Sequence, residues 1–148
     1  MIEAIFIAKE FKAAQEQVDS IELVEGKGIV GDRNFDQANW PGQNLTLIEW
    51  EEIEKYNESF QQNIDLSDTR RNMITKGVRL NDLVGKVFQI GKVKLKGVEL
   101  CEPCATLGGA LENETIQKAD VIKAFVHKGG LRADVLTSGC IEVGMSID

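Results

Sequence analysis

Apolar residues recur at every second position in short runs along much of the chain, a period that predicts strands. The opening run MIEAIFIAKE predicts a first strand, with Ile5 and Ile7 on one face and Ala4 and Phe6 on the other. Val18–Val24 predicts a second. It leads into EGKGIVGDRNF, where Gly26, Gly28 and Gly31 mark a turn-rich segment. Residues 36–43 (DQANWPGQ) predict an exposed loop with Pro41-Gly42 at its tip. Further strands are expected at Asn44–Ile48 and Arg71–Thr75. Val87–Ile90 and Lys92–Gly97 read as a hairpin around Gly91, and Leu131–Leu136 and Cys140–Val143 as a closing hairpin across Thr137-Ser138-Gly139.

Two segments carry a helical period instead. In Glu49–Gln61, Trp50, Ile53, Tyr56 or Asn57, and Phe60 fall three to four residues apart, with acidic residues in the first turn where the helix dipole favours them. In Thr115–Val126, Ile116, Ala119, Ile122, Phe125 and Val126 share a face, and Gly129-Gly130 ends the helix. Leu80–Val84 predicts a helical turn closed by Gly85. Many short strands with few helices give a mainly β, α+β fold, a barrel or sandwich with helical decorations. Regular strand–helix alternation, the mark of a doubly wound parallel sheet, is missing. No repeat, low-complexity tract or linker divides the chain, so a single domain over residues 1–148 is expected.

With 148 residues, 43% of them hydrophobic and 28% charged, the chain can bury a sizeable core without disulfide staples. No run of about 18 apolar residues predicts a membrane span, and MIEAIFIAKEF lacks the basic start of a signal peptide. A cytoplasmic protein is expected. The net charge of −7 is unevenly spread: residues 1–69 balance at −10, residues 70–96 at +7, and residues 97–148 at −4. A basic middle in an acidic chain indicates a local anion site rather than a nucleic-acid surface, because the remainder would repel a polyanion. Part of that excess is ordinary. Lys92, Lys94 and Lys96 alternate with Val93 and Leu95, as on the wet face of a strand, expected here at a sheet edge. Arg70, Arg71 and Lys76 do not fit that pattern.

Three cysteines, Cys101, Cys104 and Cys140, are an odd count without an export signal, which argues against a disulfide framework. The sharpest local feature is Leu100-Cys101-Glu102-Pro103-Cys104. A thioredoxin-like redox pair is disfavoured, because only Pro41 and Pro103 occur and no proline follows to face the dithiol. A structural zinc site could draw on Cys101, Cys104, His127 and Cys140, a set just large enough. The third option is one accessible thiolate kept ionised by nearby cations, able to carry sulfur or to bind a soft metal such as molybdenum.

Taken in order, Gly31-Asp32-Arg33, Arg70-Arg71-Asn72-Met73-Ile74-Thr75, Leu83-Val84-Gly85, Ile90-Gly91, Cys101-Glu102-Pro103-Cys104 and Gly130-Leu131-Arg132-Ala133 resemble a MOSC domain. This is the domain found at the C-terminus of molybdenum cofactor sulfurases, and the resemblance runs from about Ile21 to the end of the chain. It implies a mixed β-barrel, a sulfur-carrier or molybdopterin-binding role, and one key cysteine at the Pro-Cys position, Cys104. The pyridoxal-phosphate desulfurase domain fused to some relatives has no room here, so sulfur would come from another protein. Many relatives carry histidine where Asn34 follows Gly-Asp-Arg.

On that footing Cys104 is the expected persulfide carrier or molybdenum ligand. Arg70, Arg71 and Arg132 are candidates for the phosphate or pterin of the molybdenum cofactor, since guanidinium forks suit phosphate. Asn72 is a candidate for the pterin edge. Gly31, Asp32 and Arg33 join the candidate binding residues, with a structural Asp32–Arg33 ion pair as the alternative. His127, after a helix, is expected to meet its C-terminal dipole. Cys140, Trp50 and Phe60 read as core. Two function classes stay open: chemistry, as sulfur transfer or reduction of N-hydroxylated compounds, and binding without turnover, as an adaptor. Expected partners are a sulfur-donor desulfurase or a molybdoenzyme client.

Overall fold

The computed structural model describes residues 1–103 and 105–148, except for the side chains of residues 105 and 106. Ten strands are described: β1 (Ile2–Ile7), β2 (Glu16–Val18), β3 (Ser20–Val24), β4 (Gly28–Ile29), β5 (Leu45–Glu49), β6 (Met73–Thr75), β7 (Val87–Ile90), β8 (Val93–Leu100), β9 (Leu131–Val135) and β10 (Gly139–Glu142). Three helices accompany them: α1 (Trp50–Phe60), α2 (Ala105–Leu111) and α3 (Lys118–Ala124). Short 3-10 turns lie at Leu66–Thr69 and Leu80–Leu83.

Seven strands form one sheet in the order β2-β1-β6-β5-β9-β8-β7, curled into a half-barrel. Every pairing in it is antiparallel except β5 with β6, the two strands that flank α1 in the chain. A second sheet, β10-β3-β4, lies against its inner face. Ile21, Leu23, Ile29 and Ile141 of this small sheet share one core with Leu45, Leu47, Met73, Phe88, Val93, Leu95 and Leu131 of the large one. On the outer face a second core joins Ala4, Phe6, Ile48 and Ile74 to Ile53, Tyr56, Leu107, Val121 and Phe125 of the helices. The large sheet is therefore buried on both faces where the helices cover it, and β1 shows why its sequence is apolar throughout. Ile5 and Ile7 face one core and Ala4 and Phe6 the other, as their alternation predicts. A register shift between Ile2 and Ala4 returns Ile2 to the side of Ile5.

Several expectations are corrected. β9 and β10 do not pair: β9 lies between β5 and β8, and β10 pairs β3. The connecting residues are occupied elsewhere. Leu136 and Thr137 donate their N–H groups to the Lys94 carbonyl, and Ser138 Oγ accepts from Glu25 N. Cys140 is not core but exposed, because Ile141 takes the inward position of β10. The lysine pattern holds, with Val93 and Leu95 buried and Lys94 and Lys96 exposed. Their strand is interior, however, and β7 is the edge. The second predicted helix shortens to α3, because Asn113 bridges to Ile116 and its Oδ1 accepts the Thr115 N–H at 2.8 Å. Phe60 lies at the exposed end of α1, 5.6 Å from the Tyr56 ring. α2 is an addition to the elements the sequence predicts.

Candidate functional site

Beyond the helices, the outer face of the large sheet turns polar. Residues of alternate parity put Thr46 of β5, Asn72 just before β6, and Arg132 of β9 there, with Thr46 and Arg132 directly opposite in register. Asn72 fastens this floor. Its Oδ1 accepts from Thr46 N at 3.1 Å and from the Thr46 hydroxyl at 3.3 Å, and its Nδ2 donates to the Phe6 carbonyl at 3.2 Å. One side chain thus links β1, β5 and the entry to β6. With its residue 1% exposed, Asn72 holds the floor rather than lying open to a ligand edge.

Arg70 and Arg71 rise from the end of the 3-10 turn at Leu66–Thr69. Arg70 adopts a left-handed backbone (φ 59°), which turns the chain into β6. Its Nη2 donates to the Ala13 carbonyl at 2.7 Å, and Arg71 Nε donates to the Gly129 carbonyl at 2.8 Å. Gly129 and Gly130 prove to be places of close approach. A side chain at Gly129 would collide with the Cys101 carbonyl, and one at Gly130 with that of Leu47. Cys101 N donates to the Gly130 carbonyl at 2.8 Å, so this glycine pair draws the cysteine loop beside the arginines.

Arg33 arrives from the glycine turn. Gly31 is exposed at φ +87°, and the buried Asp32 carboxylate accepts from Ala8 N at 3.1 Å and Asn34 N at 3.3 Å. The Asp32–Arg33 ion pair forms at 3.3 Å. Arg33 Nη1 also donates to Gln15 Oε1, and Nη2 to the Arg70 carbonyl. Burial lowers the Arg33 pKa from its ordinary value; Asp32 opposes that, and Arg70 and Arg71 add to it. These three guanidinium groups therefore crowd one another.

Together Arg33, Arg70, Arg71 and Arg132 wall a cavity of about 380 Å³, completed by Leu107 and Ala110 of α2 and by Phe11 and Lys12. Among the described residues five cationic side chains line it against one carboxylate, Asp68, a surplus of positive charge that suits an anion. Beyond Arg132 a smaller hollow of about 100 Å³ holds Asn34, Gln37, Gln43 and Thr46. A wider groove of about 490 Å³ near Trp40 carries Glu25 and Asp134, the wrong sign for the same ligand.

Cys101 is buried, at 1% exposure, and burial pushes its thiol pKa up, with Arg71 and Arg132 pulling the other way. Cys104 lies outside the described residues. His127 sits exposed after α3 and, beyond any dipole interaction, its Nδ1 lies 3.1 Å from Glu102 Oε1, clamping the cysteine loop. No three histidine, cysteine or acidic side chains come together as metal ligands among the described residues. Of the four residues expected for a zinc site, Cys101, His127 and Cys140 form no such group, with Cys140 exposed on the small sheet, and Cys104 lies outside the described residues. Sequence reasoning missed Phe11, Lys12 and α2. The Leu107–Leu111 spacing was the available signal for α2.

The chain is thus a small domain of mainly β structure, a half-barrel of mixed strands with an arginine-lined cavity beside a cysteine loop. The family model for the MOSC domain matches residues 34–148, and the chain belongs to that family. It is a family linked to molybdenum-cofactor binding and sulfuration. No curated protein matches the sequence. Among solved structures, the fold is similar to the YuaD protein from Bacillus subtilis, with a TM-score of 0.84 at 16% identity over 99% of this chain and 92% of that one. It is also similar to YiiM from Escherichia coli (TM-score 0.71, 16% identity, 99% and 68% covered) and to YiiM from Geobacillus stearothermophilus (TM-score 0.73, 16% identity, 99% and 74% covered). No helix among the described residues is long and apolar enough to cross a membrane.

Proposed function

We propose that this chain binds the molybdenum cofactor through its arginine cavity and uses Cys104 as the working thiolate. The observation that carries this reading is the convergence of Arg33, Arg70, Arg71 and Arg132 on one cavity of about 380 Å³. The residues fit such a group. Guanidinium forks suit a phosphate oxygen pair, and Leu107 and Ala110 give an apolar wall for a flat ring system. Arg70, Arg71 and Arg132 would hold the anionic end, with Arg33 behind them. Asp32 and Gly31 would fix Arg33, and Asn72 would fix the floor. When bound, the cofactor supplies a redox-active metal with soft-sulfur affinity.

Burial pushes the Cys101 thiol pKa up, which disfavours it as the nucleophile, and the family resemblance implies Cys104 for that role. In sulfur carriage the Cys104 thiolate attacks the terminal sulfur of a donor protein's persulfide. A new S–S bond forms on Cys104, the donor's S–S bond breaks, and the donor cysteine leaves as a thiolate. A desulfurase charged from cysteine is the fitting donor, and a molybdoenzyme the fitting client.

The test has two arms. Protein purified from its native host is assayed for molybdenum and for pterin fluorescence, with near-stoichiometric content expected. The protein is then incubated with a charged desulfurase and labelled for persulfide. Labelling is expected in the parent and in Cys101→Ala, and none in Cys104→Ala. Equal labelling in Cys104→Ala overturns the thiol assignment, and metal-free, pterin-free protein that binds no phosphorylated pterin overturns the cofactor reading.

A further inference from the structure

Residues 8–15, which join β1 to β2, run across the arginines as a strap. The site itself holds the strap down. Ala8 N donates to Asp32 Oδ1 at 3.1 Å, and the Ala8 carbonyl accepts from Arg33 N at 2.7 Å. The Ala13 carbonyl takes Arg70 Nη2, and Gln15 spans Arg33 Nη1 and the Arg71 carbonyl. A tight turn at its tip, with Ala13 N donating to the Glu10 carbonyl and Lys12 at φ +68°, lifts Phe11 and Lys12 to the cavity rim. Phe11 is 79% exposed and belongs to neither core, although it lines a cavity otherwise dominated by charge.

We propose that Phe11 is the ring-recognition residue of this cavity, placed to lie against the flat ring of the cofactor while the arginines take its anionic end. The inference rests on the cofactor-binding reading and deepens it. Arg70 and Arg33 both face the cavity and tether the strap, so the turn that carries Phe11 is anchored beside the groups that take the anion. A flat ring attached to that anion would find Phe11 on its outer side, and stacking on an aromatic side chain strengthens binding by about tenfold.

The test compares two probes, inorganic phosphate and 6-hydroxymethylpterin phosphate, by titration calorimetry on the parent, Phe11→Ala and Phe11→Trp. The parent is expected to bind the pterin phosphate at least about tenfold more tightly than phosphate. Phe11→Ala is expected to lose that advantage while its phosphate affinity stays within twofold. Phe11→Trp is expected to restore it, with its added indole emission quenched on binding. An unchanged pterin-phosphate affinity in Phe11→Ala overturns the proposal. So does an equal loss for both probes, which would make Phe11 a mere support of the strap. A parent that binds neither probe refutes the cofactor-binding reading instead.

Discussion

Arg132→Ala is the cleanest probe of the cavity, because Arg132 is the arginine that does least for the fold. Its side chain is 42% exposed, and its ion-pair contact among the described residues is a loose 3.8 Å approach to Glu99. An exposed pair of that kind contributes about 0–1 kcal/mol. The unfolding free energy is therefore expected to change by less than about 1 kcal/mol. Affinity should respond far more. A hydrogen bond from a charged donor to a phosphate group is worth about 1.5–3 kcal/mol, which converts to roughly 10- to 150-fold in Kd. The assay is calorimetric titration with a phosphorylated pterin at two or three salt concentrations, beside urea unfolding of the same samples. Weaker binding and a shallower salt dependence are expected, because one screened charge has been removed. Arg70→Ala makes a useful contrast, since losing the donor to the Ala13 carbonyl would lower affinity and stability together. A folded Arg132→Ala protein that binds within twofold of the parent would refute the claim that the anion sits on these guanidinium groups.

Asn72→Ala should lower stability by about 2–4 kcal/mol in urea unfolding, because Thr46 N and the Phe6 carbonyl both lose a buried partner; a loss below about 0.5 kcal/mol would mean that water replaces the amide. Glu49 has its pKa raised from the ordinary 4.5 chiefly by burial, with the Leu80 N–H opposing and Glu52 reinforcing. The folded state then holds that proton more tightly than the unfolded chain, so stability is lost as pH rises from about 4.5 through the folded-state pKa. Glu49→Gln removes this penalty while keeping an acceptor for Leu80. Its unfolding midpoint should match the parent at pH 4 and exceed it at pH 7, and a parallel pH profile for the two proteins would contradict the assignment.

The faces of the strands were legible in the sequence, whereas their partners were not. Alternation in β1 and around Lys94 and Lys96 told which side chains go inward, because pleating fixes that locally. It could not tell that β8 lies inside the sheet or that β9 and β10 part company, since pairing is decided by distant segments. The helix α2 was hidden by its composition, Ala-Thr-Leu-Gly-Gly-Ala-Leu, which has poor intrinsic helix propensity. It forms where Leu107 and Leu111 drop into the outer core and where Gly108 lies against Lys118 and Ile122 of α3. Cys140 was misread because an isolated short strand does not say which of its faces is covered. The arginines were visible as a charge excess between residues 70 and 96, with Arg33 and Arg132 joined to them through family motifs. The strap was not visible, because much of its tie to the site runs through main-chain groups of Ala8 and Ala13, which any residue could supply.

Main-chain ties let an acidic protein keep a cationic cavity ready. Carboxylate partners would orient the guanidinium groups but cancel their charge. Here Arg70 and Arg71 are oriented by the carbonyls of Ala13 and Gly129, and Arg33 partly by that of Arg70. A carbonyl fixes a guanidinium in place while leaving its formal charge intact, so the cavity is pre-organised and still attractive to an anion. Only Arg33 keeps a buried carboxylate, Asp32, and it is also the arginine most hemmed in by the others. One pairing at the most crowded point tempers the repulsion, Arg132 meets Glu99 only loosely, and among the described residues Arg70 and Arg71 have no carboxylate within ion-pair distance. An anion bound there would relieve the remaining repulsion, and the strap that supplies two of the orienting groups would be held more firmly as a result. Ligand affinity and strap order are thus two readouts of one set of hydrogen bonds.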